Sequence, residues 1–293
     1  MELRQLKAFV TVARTGSFTR AARLLDYAQS SITAQVSSLE DELNTKLFER
    51  LGRKITLTRD GEQLLAYAEK ILRLSSDAKE LISGSVTPRG TLSVGATETL
   101  SIYRLPLLLQ EYRKRYPNVK FIVVTGKPTD LIHWLKTNEI DVAFFFARGT
   151  TDSDLVSETL LHEPMVMFSG VGHPLIEKAP ITPTHIPGET LILCARGCCY
   201  REALEDMLDR KGLQAGSVIE IDNIEAVKKC VISGLGISLL PRVTVEAELA
   251  QGKFVDLRWS GPDFKIVTLV AYHKNKWISP ALDALLKLAR EIV

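Results

Sequence analysis

Two clusters in this 293-residue chain have the residue types and spacing to do chemistry. In the first, Ala195-Arg196-Gly197-Cys198-Cys199-Tyr200-Arg201, two thiols sit at a glycine turn between two arginines. A thiol at a helix start beside guanidinium groups ionises and reacts more readily. Adjacent cysteines close a strained ring poorly, so a redox pair needs Cys194 or Cys230 brought close by the fold; otherwise these thiols pack or line a pocket. The second is Ala96-Thr97-Glu98-Thr99-Leu100-Ser101, with hydroxyls at the head of a helix, joined by Thr125-Gly126-Lys127. Hydroxyls, free helix N–H groups and Arg196 or Arg201 suit a small anion. Glu98 opposes an anion unless Lys127 or an arginine offsets it. Other chemistries lack their residues. His133, His162, His173, His185 and His273 are scattered and form no evident triad with a nucleophile. The four cysteines have neither a second CxxC pair nor a histidine cluster, which leaves no zinc site and no cofactor.

The elements that must position these clusters form an α/β pattern. From residue 90 onward short apolar runs alternate with amphipathic helices. Strands are expected over 91–95, 120–125, 142–146, 165–169, 190–194, 217–221, 237–240 and 267–272. Helices are expected over 102–116, 130–137, 200–211, 224–233, 243–250 and 280–293. Ligands of open α/β sheets sit beyond the carboxyl ends of strands, which is where Thr97–Ser101, Thr125 and Arg196–Arg201 fall. Phe145 and Phe146 end a strand beside them. The glycines of Gly234-Leu235-Gly236 read first as a sharp helix-to-strand turn.

Residues 1–58 are organised differently. Leu3, Leu6, Phe9, Val10 and Ala13 give a first helix one buried face, ended at Gly16 with Ser17 capping the next. A second short helix carries Ala21 and Ala22, small enough for a close crossing. A third, 29–43, buries Ile32, Val36, Leu39 and Leu43 and leaves Gln29, Ser30, Thr33, Ala34 and Ser37 on or beside its other face, with Ser31 and Gln35 as further groove-reading candidates. Two short helices joined by a tight turn, the second showing small polar groups outward, suit a helix in the DNA major groove. Thr19 lies at the same edge. A two-strand wing follows, with Arg50, Arg53 and Lys54 placed for phosphate or minor-groove contact.

Composition agrees with a soluble multidomain chain. Hydrophobic residues make up 45% and charged residues 25%, ordinary globular values, and the length suits two or three domains. No apolar run reaches the roughly 18 residues of a membrane span. The amino-terminal segment lacks a secretory apolar stretch, so the expected compartment is the cytoplasm. Residues 1–59 carry +4 and the remainder −2, a basic head on a slightly acidic body.

Leu3-Arg4-Gln5-Leu6, Gly16-Ser17-Phe18-Thr19-Arg20-Ala21-Ala22, Gln35-Val36-Ser37-Ser38-Leu39-Glu40, Leu47-Phe48-Glu49-Arg50 and Leu57-Thr58-Arg59-Asp60-Gly61 together resemble the LysR-type transcriptional regulators. The match is close over the first 60 residues and looser beyond. Ala28, Ser30 and Ala34 depart from the family's usual Ser, Pro and Arg, removing a cap, a proline and a cation from the reading helix. The resemblance implies a mainly helical winged helix-turn-helix over 1–58, its helix-turn-helix at about 18–37. It implies a linker and dimerisation helix over 59–89, then an effector-binding domain over 90–293 like periplasmic solute-binding proteins. In that domain subdomain I takes 90–161 and 267–293 and subdomain II takes 162–266, with hinges near 146–161 and 263–267. The stripe Leu64, Leu65, Ala68, Ile71, Leu72, Ser75, Ala78 and Ile82 has few other partners in reach and is expected to pair with its copy. Implied partners are double-stranded DNA with a near-palindromic site, a small organic effector, a second copy in a dimer or tetramer, and RNA polymerase for an activator. An enzyme or secreted carrier on the same two-lobed body is the competing reading; the scattered histidines and missing secretory stretch oppose it.

Overall fold

The computed structural model describes residues 1–51, 54–82, 87–149 and 152–293, with side chains left out at 50, 51, 54, 73, 77 and 79–82. The wing-tip Arg53, the side chains of Arg50, Lys54 and Ile82, and the linker residues 83–86 therefore lie outside the described residues. The chain divides into two compact units, 1–86 and 87–293.

In the first unit α1 (Leu3–Thr15), α2 (Phe18–Leu25) and α3 (Gln29–Leu43) pack around Ala8, Val12, Ala21, Ala22, Ile32 and Val36. Gly16, at φ +60, ends α1, and the Ser17 hydroxyl accepts the Arg20 N–H at the start of α2, as the spacing predicts. Leu3 and Leu43, expected on buried stripes, are 44% and 39% exposed; each lies in the terminal turn of its helix. Strands β1 (Phe48–Leu51) and β2 (Lys54–Leu57) form an antiparallel hairpin. Glu40 anchors it: the buried carboxylate accepts the Leu47 N–H at 2.9 Å and Lys46 Nζ at 2.8 Å.

Thr58 accepts the Gly61 N–H at 2.9 Å and starts α4 (Arg59–Ile82), a helix of 24 residues. Gly61 is needed for space: a Cβ there would lie 2.2 Å from the Leu47 carbonyl oxygen. The α4 stripe, expected to have few partners within its own subunit, finds them there over 64–72. Leu64, Leu65, Ala68, Ile71 and Leu72 pack on Leu6, Phe9, Val10, Leu39 and Leu47. The physical reason is that α1 has two apolar faces, one toward α2 and α3 and one toward α4. Away from that contact α4 exposes Tyr67 (66%) and Leu74 (58%).

The second unit holds two five-stranded sheets. The first collects β3 (Gly90–Ala96), β4 (Val119–Thr125), β5 (Val142–Ala147), β6 (Leu155–His162) and, from the far end of the chain, the strand Val267–His273; its order is β4, β3, β5, the late strand, β6. The second collects β7 (Met165–Gly170), β8 (Thr190–Leu193), β9 (Ser217–Glu220), β10 (Ile237–Pro241) and β11 (Phe254–Asp256), ordered β11, β7, β10, β8, β9. The late strand, β12, is thus the return to subdomain I. In chain order the helices are α5 (Glu98–Tyr103), α6 (Leu105–Arg115), α7 (Pro128–Lys136), α8 (Cys199–Arg210), α9 (Ile224–Ile232), α10 (Arg242–Ala250) and α11 (Pro280–Ile292).

Three expectations change here. The helix expected over 102–116 is two, broken at Arg104, because Pro106 lies in the first turn of α6 and has no N–H to continue α5. Residues 155–161, expected within a hinge, belong to the edge strand β6 (Leu155–His162), paired along β12. The first crossover is therefore the short step Glu163-Pro164 between β6 and β7. Glu163 joins both crossovers: its N–H donates to the Ile266 carbonyl at 2.8 Å, and its carboxylate accepts Arg104 Nη2 and Thr268 Oγ1, each at 2.8 Å. The strand β11 was not expected at all; it is three residues on an edge, too short to show a pattern.

Candidate functional site

Two places in the molecule gather the expected site residues, one in each unit. On the head, Gln29, Ser30 and Ala34 are exposed on α3, while Ser31, Thr33 and Gln35 are half-buried beside them. Ile32, Val36 and Leu39 hold the opposite face in the core. Thr19 Oγ1 donates to Gln29 Oε1 at 2.9 Å, tying α2 to the first turn of α3 and orienting that amide. Thr33 is turned to its own helix, its hydroxyl donating to the Gln29 carbonyl at 3.0 Å. Ala28 precedes α3 with no side-chain cap. The surface so formed is short-chained and polar, a shape that lets a helix approach base edges.

In the second unit four parallel-strand ends converge on one cleft between the sheets. Loops after β3, β4, β8 and β9 each lead into a helix, α5, α7, α8 and α9. The cleft has a volume of about 600 Å³. Of the expected residues, Thr97, Glu98, Thr99, Thr125, Phe146, Arg196, Cys198, Cys199 and Tyr200 line it. Leu100, Ser101 and Arg201 do not. Leu100 is 1% exposed in the core, and Ser101 pairs its hydroxyl with Thr125 Oγ1 at 3.3 Å. Arg201 points away through α8: its guanidinium donates to Glu205 (2.8 Å), Glu220 (2.7 Å) and the Cys194 carbonyl (2.7 Å). Gly234 and Gly236 are also off the cleft; a Cβ at Gly236 would meet the Thr190 carbonyl at 2.2 Å, so their role is architectural.

The lining also takes in Cys194 and adds residues that the sequence reading passed over, notably Asp222 and Ile224. The signal for Asp222 was present: Asp222-Asn223 follows an apolar run and caps a helix, and Asn223 Oδ1 accepts the Ala226 N–H at 3.0 Å. Burial of Glu98, then the charges of Asp222 and Glu225, push its carboxyl above the ordinary range against a 2.8 Å hydrogen bond from Asn223. That bond reaches from one lobe to the other. So does a second set, built on the buried Lys228: its Nζ donates to Tyr103 Oη at 3.1 Å and pairs with Glu225 at 2.9 Å and Glu248 at 2.7 Å. Phe146 and Tyr200 meet edge-on at 6.2 Å between ring centres.

The thiols are sorted by environment. Burial opposes ionisation of Cys198, but hydrogen bonds from Cys194, Tyr200 and backbone N–H groups outweigh it, and its pKa falls. Burial raises that of Cys199. Cys194 Sγ lies 3.3 Å from Tyr200 Oη, and Cys194 and Cys198 both line the cleft.

A helix-turn-helix head followed by a two-lobed body with a cleft between its lobes defines the class of DNA-binding regulators that carry a ligand-binding domain. The family model for bacterial regulatory helix-turn-helix proteins of the lysR family matches residues 3–62, and that for the LysR substrate binding domain matches 85–293. The chain belongs to the LysR family: it is a DNA-binding transcriptional regulator and not an enzyme. Over 292 residues it is 38% identical to the uncharacterized HTH-type transcriptional regulator YwqM of Bacillus subtilis, covering 99% of each chain. It is 36% identical to the HTH-type transcriptional regulator GltR of the same organism, covering 99% of this chain and 97% of that one. Among solved structures, a full-length OxyR variant from Pseudomonas aeruginosa is 26% identical with a TM-score of 0.75, covering 99% of this chain and 95% of that one. CbnR in complex with its target DNA, 22% identical, shares the fold with a TM-score of 0.70 over the whole of both chains. No helix among the described residues is long and apolar enough to cross a membrane.

Proposed function

We propose that a small organic effector bearing an acidic group binds in the cleft and controls how the protein binds or bends DNA. The observation that carries this reading is the convergence of four strand ends on a cavity of about 600 Å³, a size typical of small-molecule sites. Arg196 and Lys127 supply positive charge to the lining. A ligand touching both lobes favours one angle between them, a hinge closure. Self-association of α4 through its exposed Tyr67 and Leu74 would carry that change to two heads on a near-palindromic site. RNA polymerase is the further partner of an activator. On the DNA, Gln29, Ser30, Ser31, Ala34 and Gln35, with Thr19 behind them, read bases, and Arg50, Arg53 and Lys54 hold the backbone or the minor groove. The test is a gel shift on the protein's own upstream DNA at two salt concentrations, with Arg53→Ala/Lys54→Ala and Gln29→Ala variants. The wing pair should weaken binding to all sequences and flatten the salt slope, whereas Gln29→Ala should change which sequences are preferred. A silent wing pair with Gln29→Ala acting equally on all sites sinks this division of labour.

That Cys194 and Cys198 line the same cleft, with the Cys198 pKa lowered, favours a second reading, in which the cleft answers to a peroxide. Two thiols would become one disulfide as the peroxide O–O bond breaks to give water and an alcohol. Free-thiol counts before and after peroxide, in the parent and in Cys194→Ser, decide it: loss of two thiols only in the parent supports the switch, and no loss rejects it.

A further inference from the structure

We infer that the effector carries a protonated amino group seated between Glu98 and Asp222 and a carboxylate directed to Arg196 and Lys127, the chemistry of an amino acid. This rests on the reading of the cleft as the effector site.

Acids elsewhere in the body have partners. Glu163 accepts Arg104 and Thr268, and Asp141 pairs with Lys276 at 2.6 Å and accepts the Ser93 N–H at 2.7 Å. Glu220 holds Arg201 at 2.7 Å. Glu98 and Asp222 line the cleft from opposite lobes, and neither makes an ion pair with any described residue. Asp222 is instead the charge that bears most on Glu98. Two like charges facing a shared, partly desolvated space repel, and a cation between them removes that cost. The ammonium group has three N–H donors and no acceptor. The cleft offers acceptors to match in the two carboxylates, of which Glu98 also accepts the Asn223 amide at 2.8 Å.

The rest of the lining, in which Asp130 accepts the Lys127 N–H at 3.2 Å beside the two cations, disfavours the simpler ligands. A plain amine would leave Arg196 and Lys127 facing an electropositive guest. A plain carboxylate would meet Glu98 and Asp222 and bind better when Glu98 is protonated. A zwitterion answers both pairs, and its affinity rises with pH as Glu98 ionises.

The test uses the full-length protein and matched probes: each proteinogenic L-amino acid, the 2-oxo acid and the primary amine with the same side chain. Each is screened by thermal shift at about 10 mM, where even weak binders stabilise by mass action. An amino acid should raise the melting temperature while its 2-oxo acid and amine do not. Calorimetry should then give affinities on the order of tenfold weaker for Glu98→Gln and for Asp222→Asn. The affinity of the parent should grow with pH, and that dependence should vanish in Glu98→Gln. A 2-oxo acid that binds as well as its amino acid, or unchanged affinity in both variants, overturns the ammonium assignment and leaves the cleft as an effector site. If no probe of any class stabilises the protein, both fall together.

Discussion

The hinge and the cleft of the body each hold a glutamate between the lobes, and the two are opposites. Glu163 at the hinge is 5% exposed and has a donor for each oxygen and an acceptor for its N–H. Glu98 in the cleft is half-buried, has one amide donor, and faces a second carboxylate. A charge taken out of water is tolerated when the fold surrounds it with partners and is costly when it does not. The first arrangement is architecture; the second leaves its charge without an ion-pair partner among the described residues. Glu40 in the head belongs with Glu163, its buried carboxylate answered by Lys46 and the Leu47 N–H.

The largest effect that sharpens this contrast is expected at the hinge. Glu163→Ala leaves Arg104 and the buried Thr268 hydroxyl without their acceptor and should cost about 3–5 kcal/mol, read as a large fall in melting temperature. A fall of less than a degree would erase the contrast. Glu40→Ala should cost about 2 kcal/mol by orphaning the Leu47 N–H. It should weaken DNA binding through a loosened wing without touching thermal shifts produced by a cleft ligand. Glu98→Gln should leave the empty protein within about 1 kcal/mol of the parent, the behaviour of a residue with little to lose. The smallest effect is a pH slope. The folded state raises the Glu98 pKa above the ordinary 4.5, so it binds the proton more tightly than the unfolded chain. Stability from this group is present at low pH and is lost as pH rises through its folded pKa. Melting curves from acid to neutral pH should show that decline in the parent relative to Glu98→Gln; parallel curves would contradict it.

Much of this was legible in the residues. The helix stripes, the Gly16-Ser17 boundary, the βα loops and the return of Val267–His273 all follow from period, caps and turn residues. What escaped depended on partners far away in sequence. Leu155–His162 mixes Ser157, Glu158 and Thr159 among apolar residues and becomes a strand because β12, some 110 positions on, supplies its hydrogen bonds. Arg201 was placed by its nearness to Cys198, but helix geometry puts it beside Glu205, four residues on, and turns it from the cleft. Asp222 needed only the rule already applied to the other loops. The α4 stripe misled because a stripe declares that it will be covered, not by what; the second apolar face of α1 was the missing clue.

The seating of α4 on α1 has a consequence for helical phase. Because Leu64, Leu65, Ala68, Ile71 and Leu72 pack the first half of α4 onto the head, the two are expected to turn as one body. Whatever grips the far half of α4 therefore sets the azimuth of the reading helix. Each residue added between the two halves rotates that azimuth by about 100° and lengthens the shaft by about 1.5 Å. One alanine inserted after Ser75 should abolish recognition of a two-site operator while leaving each head folded. Seven should return the heads close to their original facing, displaced by about 10 Å along the shaft. The spacing of half-sites preferred by the two insertion variants would then report how torsion, rather than bending, passes through this helix.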